Sequence, residues 1–145
     1  MSDDTNLKKK TKLLWIPVAI VAVCCVAILL TVDDWSRDWT TNHAKIEVTV
    51  VGTEQEIANR IRQWSETNGA WTLIKTTETD QAKLTIELTR TSMVLRFVDD
   101  ISVTLTRNGD LKCDVVAESR SRIGKGDLGQ NPRNLAQLRS AIEAK

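Results

Sequence analysis

At 145 residues, with 41% hydrophobic and 27% charged residues and a formal net charge of +1, the chain has room for one ordinary domain and an appendage. The charge stays nearly balanced from Ala44 to Lys145, which excludes a global field that would draw the protein to nucleic acid. Cys24 and Cys25 are adjacent near the N-terminus and Cys113 stands alone downstream, so a disulfide within the downstream region is excluded.

The first element is apolar. Leu13 to Val32 (LLWIPVAIVAVCCVAILLTV) carries no charge, and at about 1.5 Å rise per residue such a run reaches roughly the 30 Å of a bilayer's hydrocarbon core. Lys8, Lys9, Lys10 and Lys12 precede it, whereas Asp33, Asp34 and Asp38 follow with only Arg37 among them. This asymmetry predicts a single-pass signal anchor with its N-terminus in the cytoplasm and the rest of the chain outside. Trp15 at one end and Trp35 and Trp39 at the other suit the headgroup regions. Pro17 falls in the first turn, where it costs little. A cleaved signal peptide is the competing reading. The run is longer than a typical h-region, Cys25-Val26-Ala27 is a poor cleavage site, and Cys24 lacks the small preceding residue of a lipoprotein. The expected organisation is a basic cytoplasmic tail (1–12), a transmembrane helix (13–32), a polar stalk (33–43) and an extracytoplasmic domain (44–145).

Within the domain, Lys45 to Val51 alternates Ile46, Val48 and Val50 against Glu47 and Thr49 and predicts a strand. Gly52 ends it. Thr53 with Glu56 makes a capping-box pattern, and Ile57, Ile61 and Trp64 recur at helical spacing until Asn68-Gly69. Five strands are expected next: Trp71 to Thr76, Leu84 to Arg90, Met93 to Phe97, Ile101 to Leu105, and Leu111 to Ala117. Asp99-Asp100 would separate two of them. A three-residue loop at Arg107-Asn108-Gly109, with Gly109 left-handed, pairs Leu105 with Leu111, Val103 with Cys113 and Ile101 with Val115, and makes Cys113 a buried small hydrophobe. A closing helix runs from Pro132 to about Glu143, with Asn131 as N-cap and Leu135, Leu138 and Ile142 as its buried stripe.

The resulting order β-α-β-β-β-β-β-α predicts an α+β domain, a mostly antiparallel sheet with two helices on one face. Its expected core contains Ile61, Trp64, Ile86, Phe97 and Leu138. There are no internal repeats.

VLRFVDDISVTL and, after a hairpin, ESRSRIGKGDLGQNPRNLAQLR resemble the signature of the bacterial and plastid family catalogued as domain of unknown function 1499. Phe97, Asp99 and Asp100 match its Phe-x-Asp-Asp element. Ser119, Ser121, Arg122, Gly124, Asp127, Leu128, Gly129 and Asn131 match much of its Arg-Ser-x-Ser-Arg-x-Gly-x-x-Asp-Leu-Gly-x-Asn run. Glu118 stands where the first Arg would be, Ser102 replaces a frequent glutamate, and the Cys-Val-Ser-Ser element is missing. The resemblance, strongest over Met93 to Arg139, implies the same domain and a membrane-associated or exported setting. It implies no activity.

Two sets of residues are candidates for a site. Asp99, Asp100 and Asp127 could form an acidic site for metal or acid/base work, although such aspartates also serve turns, and Asp127 could instead pair with Arg120 or Arg122. Gly124, Gly126 and Gly129 lack P-loop spacing, but Arg120, Arg122, Lys125, Asn131 and Arg133 around the start of the last helix could accept an anion. Nucleophile–base sets are absent, since the only histidine, His43, lies on the stalk. No metal or cofactor is called for. The expected function is a membrane-anchored envelope protein whose outer domain is a non-enzymatic binding or interaction module. The alternatives are a hydrolase-like envelope enzyme using the three aspartates and a structural subunit of a membrane complex. Expected partners are the lipid bilayer, through Leu13 to Val32, and an envelope protein, with no nucleic acid.

Overall fold

A computed structural model describes residues 16–26, 41–80, 83–93 and 96–144. Residues 16–26 form a helix, α1, whose side chains are exposed. Among the described residues no helix is long and apolar enough to cross a membrane. The flanks of the span expected over 13–32, namely 13–15 and 27–32, lie outside the described residues, as do the tail and most of the stalk.

The rest is an α+β domain in the order β1 (His43–Val51), α2 (Glu54–Thr67), β2 (Trp71–Asp80), β3 (Lys83–Thr91), β4 (Val98–Arg107), β5 (Lys112–Ser121) and α3 (Gln130–Glu143). The strands form one antiparallel sheet in the order β1-β5-β4-β3-β2. β2 to β5 are a meander. α2 carries the chain from β1, at one edge, across to β2 at the other.

Alternation decides what each face holds. Leu84, Ile86 and Leu88 of β3, Ile101, Val103 and Leu105 of β4, and Cys113, Val115 and Ala117 of β5 are all buried on one face. Both helices cover it, α2 with Ile57 and Ile61 and α3 with Leu135, Leu138 and Ile142. The intervening side chains face away from the helices and are mostly exposed or half-buried. Burial pushes the Cys113 thiol up, which keeps it protonated and inert.

The start of α2 follows the sequence closely. The Thr53 hydroxyl accepts from Glu56 N at 3.3 Å and the Glu56 carboxylate accepts from Thr53 N at 2.8 Å, a reciprocal capping box. Glu54, the first helical residue, is buried and ion-paired with Arg107 at the end of β4.

Several expectations are corrected. The sheet has five strands, not six, because Arg90 pairs with Asp99 and Thr91 with Val98. That register leaves residues 92–97 as the connection between β3 and β4. Ser92 N donates to Phe97 O at 2.8 Å, Phe97 N donates to Ser92 Oγ at 2.9 Å, and Arg96 is left-handed (φ 54°). Met93 is therefore 89% exposed and Phe97 49% exposed, so Phe97 is not part of the core. Leu95 lies outside the described residues.

Asp99 and Asp100 sit inside β4 rather than in a turn. In the β4–β5 hairpin the faces are as expected but the pairing is not. Leu105 pairs with Val115 and Val103 with Ala117, because the loop is longer than three residues and Asn108 N donates to Lys112 O. Gly109 is left-handed (φ 78°), and Leu111 is exposed at the loop. Finally, α3 begins at Gln130, with Gly129 (φ 74°) as its N-cap, so Asn131 is a buried helical residue rather than the cap.

Candidate functional site

Cross-strand pairing lines the apolar face in rows, and the last row is polar. Arg90, Asp99 and Ser121 lie side by side on β3, β4 and β5. The row before it ends in Ser119, paired with Ile101 and with Ala44. α3 covers both rows with Asn131 and Asn134, which face down because the helix carries them three residues apart on the stripe that also holds Leu135 and Leu138.

These side chains form a closed ring. Asn134 Nδ2 donates to Asp99 Oδ2 at 2.8 Å, and Ser121 Oγ donates to Asp99 Oδ1 at 2.7 Å. Asn131 Nδ2 donates to Ser121 Oγ at 3.0 Å, while Ser119 Oγ donates to Asn131 Oδ1 at 2.5 Å. Asn134 Nδ2 closes the circuit on Ser119 Oγ at 3.2 Å. Outside the ring, Asn131 Nδ2 also donates to Asn42 O at 2.7 Å, and Gln130 Nε2 donates to Asn134 Oδ1 at 2.7 Å. Burying so many polar groups is tolerable because each finds a partner.

The glycine loop is built by Asp127. Its Oδ1 accepts from Gly129 N at 2.9 Å and its Oδ2 from Asn131 N at 2.8 Å, so an internal carboxylate occupies the positive end of α3. Arg133 Nη2 turns back to Leu128 O at 2.8 Å, with Leu128 left-handed (φ 53°). The helix start that could have accepted an anion is thus satisfied from within.

Strand alternation splits the remaining candidates. Asp100, Arg120 and Arg122 point to the open face of the sheet. There Arg122 grips Asp100 in a fork, Nε to Oδ2 at 2.9 Å and Nη2 to Oδ1 at 2.7 Å, and this hydrogen-bonded carboxylate raises the Arg122 pKa. Arg122 is therefore not the partner of Asp127. Arg120 lines a pocket of about 800 Å³ on that face with Asp100, Glu87 and Glu118. Lys125 is exposed in the loop. The three aspartates do not converge, and among the described residues no group of three or more His, Cys, Asp or Glu side chains could hold a metal.

What the structure does bring together is a pocket of about 440 Å³ at the polar end of the domain. Arg90, Asp99, Asp127 and Arg133 line it, and Met93, Phe97, Ile123 and Leu128 supply apolar wall and rim. Arg90 was missed by the sequence reading. Its Nε and Nη1 are fully buried and have no hydrogen-bond partner. Burial lowers the Arg90 pKa, opposed by the nearby Asp99 carboxylate. Asp99 stands near it without bonding either nitrogen, its two oxygens accepting from Ser121 and Asn134. A signal was there to be read: Arg90 continues the inward series Leu84, Ile86, Leu88 at period two.

A family model described as "Protein of unknown function (DUF1499)" matches residues 24–142. The chain belongs to the DUF1499 family. No curated protein matches it. Among solved structures, the vertebrate conserved region of human METTL16 is similar to this DUF1499 chain, with 12% identity and a TM-score of 0.40, covering 67% of this chain and 94% of that one.

Proposed function

We propose that this DUF1499 protein is a single-pass membrane protein of the cell envelope, anchored through Leu13 to Val32, whose extracytoplasmic domain is a non-enzymatic binding module. Its ligand is an anionic group carried on an apolar stem, held in the pocket beside Arg90. The carrying observation is the Arg90 guanidinium, whose Nε and Nη1 are buried without an acceptor in a pocket wall. A buried donor left unmade is costly, and an arginine cannot shed its charge to escape that cost. An anion that draws the guanidinium into a bidentate contact relieves it. The rim of Met93, Phe97 and Ile123 fits apolar substituents on the same ligand. Reaction chemistry is disfavoured by the separation of Asp100 from Asp99 and Asp127, and by the hydrogen bonds that already occupy those two carboxylates.

The test is thermal melting of the full chain in a neutral detergent with increasing dodecyl phosphate. Wild type should melt progressively higher, because the ligand binds only the folded state. Arg90→Gln should lose most of the shift and Arg90→Lys should keep part of it. An equal shift in wild type and Arg90→Gln would refute the site. Orientation is checked by a reporter enzyme that works only outside the cytoplasm, fused after Lys145. It should be active, and activity only of a cytoplasmic reporter there would refute the localisation.

A further inference from the structure

The pocket does not open at an arbitrary place on the domain. The chain enters the domain at that same end. Asn42 O accepts from Ser121 N at 3.0 Å and from Asn131 Nδ2 at 2.7 Å, and Asn42 Nδ2 donates to Gly124 O at 2.9 Å. The residue just ahead of β1 is therefore tied directly to the loop that forms one wall of the pocket. Upstream, only residues 33–41 separate it from the end of the apolar run at Val32. Nine residues span at most about 30 Å fully extended. The chain therefore joins the apolar run at the pocket end of the domain, with the β4–β5 loop at the opposite end of the sheet.

The surface around the pocket has the composition of a membrane contact. Met93 is 89% exposed, Ile123 69% and Phe97 49%, and they project from two neighbouring loops at this one end. Arg96 and Lys125 are exposed on the same two loops. Apolar tips among cations are the arrangement that enters the boundary between headgroups and acyl chains while the charges remain among phosphates. Paired hydrogen bonds join Ser92 to Phe97, and in the other loop Asp127 binds the Gly129 and Asn131 amides, while Met93, Phe97 and Ile123 stand exposed beside them.

We infer that the pocket end of the domain docks on the bilayer of its own anchor, and that the occupant of the pocket is the phosphate headgroup of an anionic lipid drawn from that bilayer. This rests on the membrane-anchored binding module proposed above and adds the source of the ligand. Met93, Phe97 and Ile123 enter the interface, Arg96 and Lys125 meet neighbouring phosphates, and Arg90 receives the selected headgroup. Leu111, 68% exposed in the β4–β5 loop at the far end, stays in water.

The experiment uses the full chain with Cys24→Ala and Cys25→Ala, Cys113 being buried and left in place. A spin label is placed at Met93→Cys, Ile123→Cys or Leu111→Cys, and the protein is reconstituted into nanodiscs of phosphatidylcholine with or without phosphatidylglycerol. Collision with oxygen, which partitions into lipid, is compared with collision with a water-soluble nickel chelate. The oxygen-to-nickel ratio should be several-fold higher at positions 93 and 123 than at 111, and higher again with phosphatidylglycerol. Arg90→Gln should remove that added lipid dependence. Equal ratios at all three positions overturn the docking. Carbonate washing of the native membranes separates the two levels: release of the chain overturns the anchor and the docking together, whereas retention with water-like labels overturns the docking alone. A melting shift with dodecyl phosphate in detergent, combined with water-like labels in discs, leaves the anion pocket standing and refutes the bilayer as its source.

Discussion

Asn131→Ala separates two accounts of the DUF1499 loop. As an N-cap, the residue would be replaceable at a cost of about 1 kcal/mol. In the structure it is fully buried and caps nothing. Its amide satisfies the Asn42 carbonyl and the Ser119 hydroxyl and also donates to Ser121 Oγ. Truncation strands the Ser119 O–H, which has no other acceptor among the described residues, although Ser119 Oγ still accepts from Asn134. Asn42 O keeps its bond from Ser121 N, and Ser121 Oγ still bonds Asp99, so each of these loses one hydrogen bond and keeps another. One stranded buried donor at about 1–3 kcal/mol, with two further lost hydrogen bonds at about 0.5–1.5 kcal/mol each, gives about 2–6 kcal/mol, and a water entering the vacated space moves the value toward the lower half of that range. Urea unfolding of the full chain, followed by tryptophan fluorescence, reads this directly, since Trp71 is 5% exposed and packs against Trp64 with ring centroids 4.7 Å apart. A loss near 1 kcal/mol or below would refute the ring as a buried unit.

Leu138→Ala, in the fully buried stripe of α3, should cost about 2–5 kcal/mol in the same assay, and Phe97→Ala about 1 kcal/mol, its ring being half-exposed. The reverse order would mean that Phe97 belongs to the core after all. Arg122→Ala and Asp127→Asn should be additive in a double-mutant cycle, because the two side chains have different partners on opposite faces of the sheet; measurable coupling would contradict the Arg122–Asp100 pairing. The hydrogen bond from Arg107 holds the Glu54 carboxyl below its ordinary value. Its contribution is therefore complete above the unfolded value of about 4.3 and is lost as pH falls through the folded one. The stability difference between wild type and Glu54→Gln should be level near neutrality and shrink below about pH 4; a difference that grew with acid would reverse the assignment.

Periodicity carried most of the fold. β1, the capping box of α2, the inward faces of β3, β4 and β5, and the apolar stripe of α3 were all readable because each depends on local spacing. The errors arose where spacing is ambiguous. Met93, Leu95 and Phe97 continue the odd-numbered series Asp99, Ile101, Val103, Leu105, so alternation alone could not tell a strand from the connection leading into one. Only the pairing of Arg90 with Asp99 fixes where β4 begins. The β4–β5 register failed in a complementary way. A shift that preserves parity leaves every side chain on the correct face, so hydrophobic pattern was silent about which pairing holds. The site was the least legible part. Whether Asp127 meets Arg122 or the α3 amides depends on the face on which Arg122 lies, a question decided by β5 extending to Ser121 rather than ending at Ala117.

The residues that give this family its recognisable signature are largely spent on construction. Asp99, Ser119, Ser121 and Asn131 belong to the ring, Asp127 builds the start of α3, and Asp100 and Arg122 neutralise each other on the open face. The ring has a further effect. Through Ser121 and Asn134 it holds the Asp99 carboxylate where it favours the charge of Arg90 but bonds neither the buried Nε nor Nη1. A neutral residue at position 99 would remove that attraction. The construction and the proposed binding are thus linked through one side chain: the ring fixes where Asp99 stands, and at that place it supports the Arg90 charge while leaving those two donors without an acceptor.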